Sequence, residues 1–379
     1  MDVTPVVSGP HTHIGNNVSK DMYWVLAALT PVTLYGIYLF GWPALNLLLI
    51  ILLAVVAFEA LSLRIAGKPL RPTLLDGSAL LTGLILALSL PPWAPWWVGV
   101  IGAAFAIVVG KHVFGGLGQN LFNPAMLARV VLLISFPLEM TTWVMPQPLF
   151  SADAPGFWEG LAITFGMATI PDAITSATVL DQAQAAVLHG AAVSEGIAGH
   201  YSPLSGLLGY QAGSMGETSA LLLLLGGALL LFKRVIRWEI PLAMLGALAM
   251  MSLVFMWLDP QRHAGPGFHL LSGGVMLVAF FIATDPVTSP SSRLGRILFG
   301  AGCGVLDYII RIWGNYPEGI AFAVLLMNAL TPLIDHYVRP RIYGRTQRGM
   351  PLPDKVAPPD RKPKAPPQRP LYKKRSKKP

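Results

Sequence analysis

The residues able to do chemistry are few and scattered. The chain has a single cysteine, Cys303, inside an apolar run, so neither a disulfide within the chain nor an iron–sulfur cluster can be built from it. There is no Walker A loop, no HExxH helix and no nucleophile elbow. His11 and His13 form a short HxH, too few ligands for a closed metal site. No catalytic residue and no metal site are expected. What remains is charge in apolar surroundings. Asp285 stands at a helix break, where it caps a helix end, pairs with Arg293, or serves a cation or flavin. Asp307 and Arg311 are four apart and can pair on one helical face. Lys111 and Arg129 flank a Gly-rich segment, either as topogenic charges or as partners of a phosphate or flavin ring.

The elements that must position these residues are membrane helices. Of 379 residues, 54% are hydrophobic and only 12% charged, too few charges to coat a soluble chain of this length. Runs of about 20 apolar residues mark membrane spans. Ten are expected: 23–42, 43–62, 76–91, 95–113, 123–137, 218–232, 238–258, 268–285, 294–312 and 317–336. The fold class is therefore an all-α polytopic membrane protein. Two stretches read alike. Asp76–Gly77–Ser78 leads a helix ending at Pro91–Pro92, and Ser272–Gly273–Gly274 leads one ending at Asp285–Pro286. Each is followed, 27 or 28 residues after its first proline, by Gly118–Gln119–Asn120 or Gly314–Asn315. Five spans per half place the halves in opposite orientations, giving two inverted five-helix repeats whose broken helices meet around a buried site.

Charge orders the topology. The net +8 divides into +12 in Arg339–Pro379 and −4 in the rest. Lys20, Arg64, Lys68, Arg71, Lys111, Lys233, Arg234, Arg237, Arg293 and Arg296 fall on one side if both termini are cytoplasmic. From Val130 to Phe232 there is no lysine or arginine, so the acidic loop belongs outside. The expected organisation is a cytoplasmic leader (1–22), a first transmembrane half (23–137), an extracytoplasmic loop (138–217), a second half (218–338) and a basic, Pro-rich cytoplasmic tail (339–379). The tail is suited to anionic lipid headgroups or an acidic partner surface. With only Tyr343 and Tyr372 in it, nucleic acid is not expected.

Inside the loop, Asp172 followed by Thr175-Ser176-Ala177-Thr178 and Leu180 resembles the flavinylation motif of the NqrB/RnfD family, with Ser176 where glycine is usual. The likeness extends to His11-Thr12-His13, Asp76–Gly83, Gly115–Asn120 with Phe122–Met126, Ala283–Pro290, Tyr316–Gly319 and Leu325–Asn328. The short leader favours the RnfD branch, from Rnf complexes, over the NqrB branch, from sodium-pumping NADH:quinone reductases. Without the motif, a urea-channel-like solute channel or a passive scaffold would fit the topology.

The resemblance implies a membrane flavoprotein of the bacterial inner membrane, with Thr178 on the periplasmic side carrying FMN through a phosphoester and Asp172, Thr175, Ser176 and Ala177 around it. It implies a component of a ferredoxin:NAD oxidoreductase coupled to Na+ or H+ movement, with the A, B, C, E and G proteins of the Rnf complex and an FMN transferase as partners. It also implies a second, non-covalent flavin (riboflavin), for which Asn120, Asn123, Asp285 and Asn315 are the candidates.

Overall fold

The computed structural model describes residues 18–152, 154–168, 175–199, 201–314, 316 and 318–339; Asp172, Asn315, the His11/His13 pair and most of the basic tail lie outside the described residues.

The first helix, α1 (Val18–Ile65), runs for 48 residues, about 72 Å if straight, more than twice the hydrocarbon thickness of a bilayer. It is not straight. Gly41 breaks it with φ 72° and ψ −157°, a conformation that suits a residue without Cβ. The two arms, 18–40 and 42–65, are about 35 Å each. They fold back as a hairpin. At one end Met22 and Tyr23 lie against Gly77, while Glu59 reaches Ser78 through Lys111.

After the short α2 (Leu70–Leu74), α3 (Ser78–Ser89) starts at Gly77, with Asp76 Oδ1 accepting from the Ser78 N–H and hydroxyl at 2.7 and 2.6 Å. It stops before Pro91–Pro92, which cannot donate to its last turn. Next, α4 (Trp96–Ala104) widens into a π-helical stretch, Phe105–His112. In α5 (Pro124–Ser135), Pro124 takes the first position and the Asn123 side chain accepts from the N–H groups of Ala125 and Met126.

The acidic loop is folded, as its apolar content predicts. It holds α6 (Pro137–Thr141), β1 (Trp143–Val144), α7 (Phe157–Thr164), β2 (Thr175–Ser176), α8 (Val179–Leu188), α9 (Val193–Ile197) and α10 (Pro203–Leu208). The two strands pair antiparallel, Trp143 opposite Ser176 and Val144 opposite Thr175. Gly160 lets α7 sit on Trp42 and Pro43, anchoring the loop to the α1 corner. A small core of Val179, Leu180, Ala183, Val193, Ala264 and Phe268 holds α8 down.

A 3-10 turn, Met215–Glu217, leads into α11 (Ala220–Phe232) and α12 (Glu239–Leu258). The expected span 268–285 is interrupted: α13 (Pro266–Leu271) ends at Ser272, Gly273 takes φ +70°, and α14 (Val275–Leu277) continues as a π stretch, Val278–Ile282. Finally, α15 (Arg293–Trp313) packs on α12, with Gly300 over the Ile240 carbonyl and Gly304 over that of Met244, and α16 (Ile320–Tyr337) follows.

Each of the ten expected spans overlaps helix. Among the described residues four stretches are long and apolar enough to cross a membrane, Val18–Ile65, Leu70–Ser89, Glu239–Leu258 and Ile320–Tyr337, and shorter apolar helices cover Trp96–His112, Pro124–Ser135 and Ala220–Phe232. Leu53, Leu242, Met250 and Trp257 stand exposed, the apolar skin of a protein whose solvent is lipid.

Candidate functional site

Thr178 is the N-cap of α8 and closes a capping box. Its Oγ1 accepts from the Asp181 N–H at 3.1 Å and donates to Asp181 Oδ2 at 2.6 Å, while its own N–H donates to the same oxygen at 3.0 Å. The residue is 3% exposed. Its hydroxyl therefore lies at the positive end of a helix dipole, a place that favours a phosphate. Beside it, Ser176, Ala177 and Val179 line a cavity of about 390 Å³ with Met145, Tyr201 and Tyr210. Burial raises the Tyr201 phenol above its ordinary value, keeping it a neutral donor. Two aromatic rings with Gln182 and Gln211 at the walls suit a planar ring with a polar edge. Esterification of Oγ1 removes the proton given to Asp181, so the ester displaces one contact of the box.

A second cavity, about 120 Å³, lies between the interrupted helices. Asn120, Asn123 and Asp285 all line it, joined by Asp21, Lys111 and the rings of Phe280 and Phe281. Asp285 caps its own turn, accepting from the Val287 N–H at 3.1 Å and the Thr288 hydroxyl at 3.3 Å. It makes no pair with Arg293, which faces Glu239 at 3.7 Å. The Lys111 ammonium is buried, donating to Glu59 at 2.7 Å and Ser78 Oγ at 2.8 Å, with His112 Nε2 3.1 Å from the other Glu59 oxygen.

Further buried charges lie apart from the lining of these two cavities. Arg129 of α5 donates to the Ser89 carbonyl that the Pro91–Pro92 break leaves free, and to Glu318. It also lies 4.0 Å from Glu217. Arg311 holds Asp307 at 3.0 Å, the i, i+4 pair the spacing predicts, and donates to the carbonyls of His269 and Ser272.

Residues 5–344 match the model of the NQR2, RnfD, RnfE family. The chain belongs to this family. It is 57% identical over 350 residues to the D subunit of the ion-translocating oxidoreductase complex from Halorhodospira halophila, covering 92% of this chain and 98% of that one. The protein of the same description from Rhodobacter capsulatus is 50% identical, covering 83% and 87%, and that of Escherichia coli K12 is 43% identical, covering 89% and 98%.

In this NQR2, RnfD, RnfE family member, three of the four residues expected to meet at the helix breaks do line one cavity. Sequence reasoning missed Glu59, Glu217 and Glu318. The signal was present: each is a lone acid within, or at the edge of, an apolar span, where an acid is costly unless paired.

Proposed function

We propose that this chain is the flavin-bearing membrane component of an ion-translocating oxidoreductase complex, with FMN joined to Thr178 as a phosphoester and a second flavin between the broken helices. The observation that carries this reading is the Thr178 hydroxyl at the N-terminus of α8, next to a cavity walled by Tyr201 and Tyr210. When bound, a flavin supplies the electron transfer. The chain's part is to hold it. The helix N-terminus steadies the phosphate, the tyrosines and glutamines seat the ring, and the tether keeps the group from leaving on the outer side.

On the other side, Asn120 and Asn123 present amide edges, and Lys111 places an ammonium held by Glu59 and Ser78. Thr175, Ser176 and Ala177 deliver Thr178 from the strand pair to the helix, and Asp172 belongs to the same motif. The ten helices form two inverted five-helix repeats in the bacterial inner membrane, termini inside and the Thr178 loop in the periplasm. Partners are the other proteins of an Rnf-type complex passing electrons between ferredoxin and NAD, coupled to Na+ or H+.

The test is denaturing electrophoresis after coexpression with an FMN transferase. The band should fluoresce as a flavin, and Thr178→Ala should abolish it. A dark wild-type band defeats the covalent assignment, and loss in Thr175→Ala with Thr178→Ala intact moves the attachment point.

A further inference from the structure

Arg129 faces two carboxylates. Glu318 Oε2 is paired with its guanidinium, and Glu217 Oε1, which also accepts from the Ser214 hydroxyl at 2.7 Å, lies 4.0 Å away. The three side chains are at least nine-tenths buried. Glu318 Oε1 is buried without a hydrogen-bond partner. An ionised oxygen left so costs the full desolvation of a charge, whereas a protonated one does not.

The other charged groups facing the pair do not mend the imbalance. Arg311 of α15 is matched one-to-one by Asp307, and His269 meets Arg311 through its backbone carbonyl, which carries no charge. Asp181 of α8 adds a further negative group near Glu318. Two acids per guanidinium thus leave one negative charge over, in a place too dry to hold it.

We propose that Glu217 and Glu318 form a proton-binding site that shares one exchangeable proton against Arg129, at the seam where the first and second halves of the chain meet. A metal cation fits less well. It would lie against a guanidinium that already occupies the other Glu318 oxygen, and among the described residues no group of three or more His, Cys, Asp or Glu is placed to hold one. A proton needs no further ligands. The site lies between the Thr178 helix and the Ser89 break, so a proton gained or lost there would offset charge arriving at either cavity. It exists independently of any flavin.

The test uses the full chain purified in detergent and produced without a flavin transferase, so its outcome does not depend on Thr178. Infrared spectra are titrated from about pH 6 to about pH 10. Wild type minus Glu318→Gln should show the carbonyl band of one protonated carboxylic acid, shifted in D2O and lost at the alkaline end. Wild type minus Glu217→Gln should show the same band, because either substitution leaves one carboxylate matched to Arg129. Should one variant not fold, the other carries the measurement. No such band in either difference at any pH overturns the site. Displacement of the band by sodium at constant pH overturns the reading that the site excludes a metal cation.

Discussion

The helix cap that Thr178 makes and the flavin attachment proposed for it separate by substitution. Thr178→Ala removes Oγ1 and with it the bond from the Asp181 N–H and the 2.6 Å bond to the Asp181 carboxylate. Loss of an N-cap costs about 1 kcal/mol, and loss of a charge-assisted bond about 1.5–3 kcal/mol. The sum, roughly 2.5–4 kcal/mol, falls on α8, whose own core is only a few residues. At about 1.4 kcal/mol per factor of ten, local opening becomes roughly 60-fold to several hundredfold more frequent. Hydrogen exchange of the α8 amides in flavin-free protein reads this directly. Thr178→Ser keeps both bonds and should exchange like wild type, and it keeps a hydroxyl for the ester. Thr178→Asn should recover most of the cap while remaining non-fluorescent in the presence of transferase. Exchange in Thr178→Ala within twofold of wild type would refute the cap. Protection lost evenly over α11 and α12 as well would show that the effect is not local.

Lys111→Met leaves Glu59 buried with His112 alone, and should lower stability in detergent by about 3–5 kcal/mol, with the double variant Lys111→Met/Glu59→Gln regaining at least half by thermal unfolding. In the connection between α12 and α13, His263 is held below the ordinary histidine value of 6.5 by burial first, with Arg262 acting the same way and Asp259 opposing. The unfolded chain therefore binds its proton first on acidification. Stability is full above about 6.5 and falls as pH drops toward the lowered folded value, and His263→Gln should flatten that slope of melting temperature against pH. Cys303 is fully buried, so cysteines placed at exposed Leu188 and Ile65 report sidedness. An impermeant maleimide should label Leu188→Cys in intact cells and spare Ile65→Cys; the opposite pattern reverses the orientation.

Hydropathy and punctuation made the helices legible. Pro91–Pro92, Asn123–Pro124 and Gly273–Gly274 mark in sequence the places where the helices end or restart, because backbone chemistry is local. Asp307 and Arg311 meet because four residues is a turn. Long-range pairing was not legible. Arg129 and Glu318 are 189 residues apart, and no periodicity links them. Arg129 and Lys111 read equally well as topogenic charges until their partners, Glu318 and Glu59, are in place. The boundary expected between the spans 23–42 and 43–62 falls beside Gly41, where α1 breaks, but the hairpin made there depends on packing against α3.

The shortness of the helices beside the buried arginine has an electrical consequence. Helices α3 and α5 have 12 residues each, about 18 Å, against a hydrocarbon core near 30 Å. Where polar breaks at their ends admit the surrounding potential, the membrane voltage falls over the shorter distance, and the field there is about 1.7 times stronger. A unit charge crossing the full drop does about 2.3 kcal/mol of work per 100 mV. Over about 18 Å that is roughly 0.13 kcal/mol for each ångström, so a displacement no longer than a side chain captures a sizeable share of the stored energy.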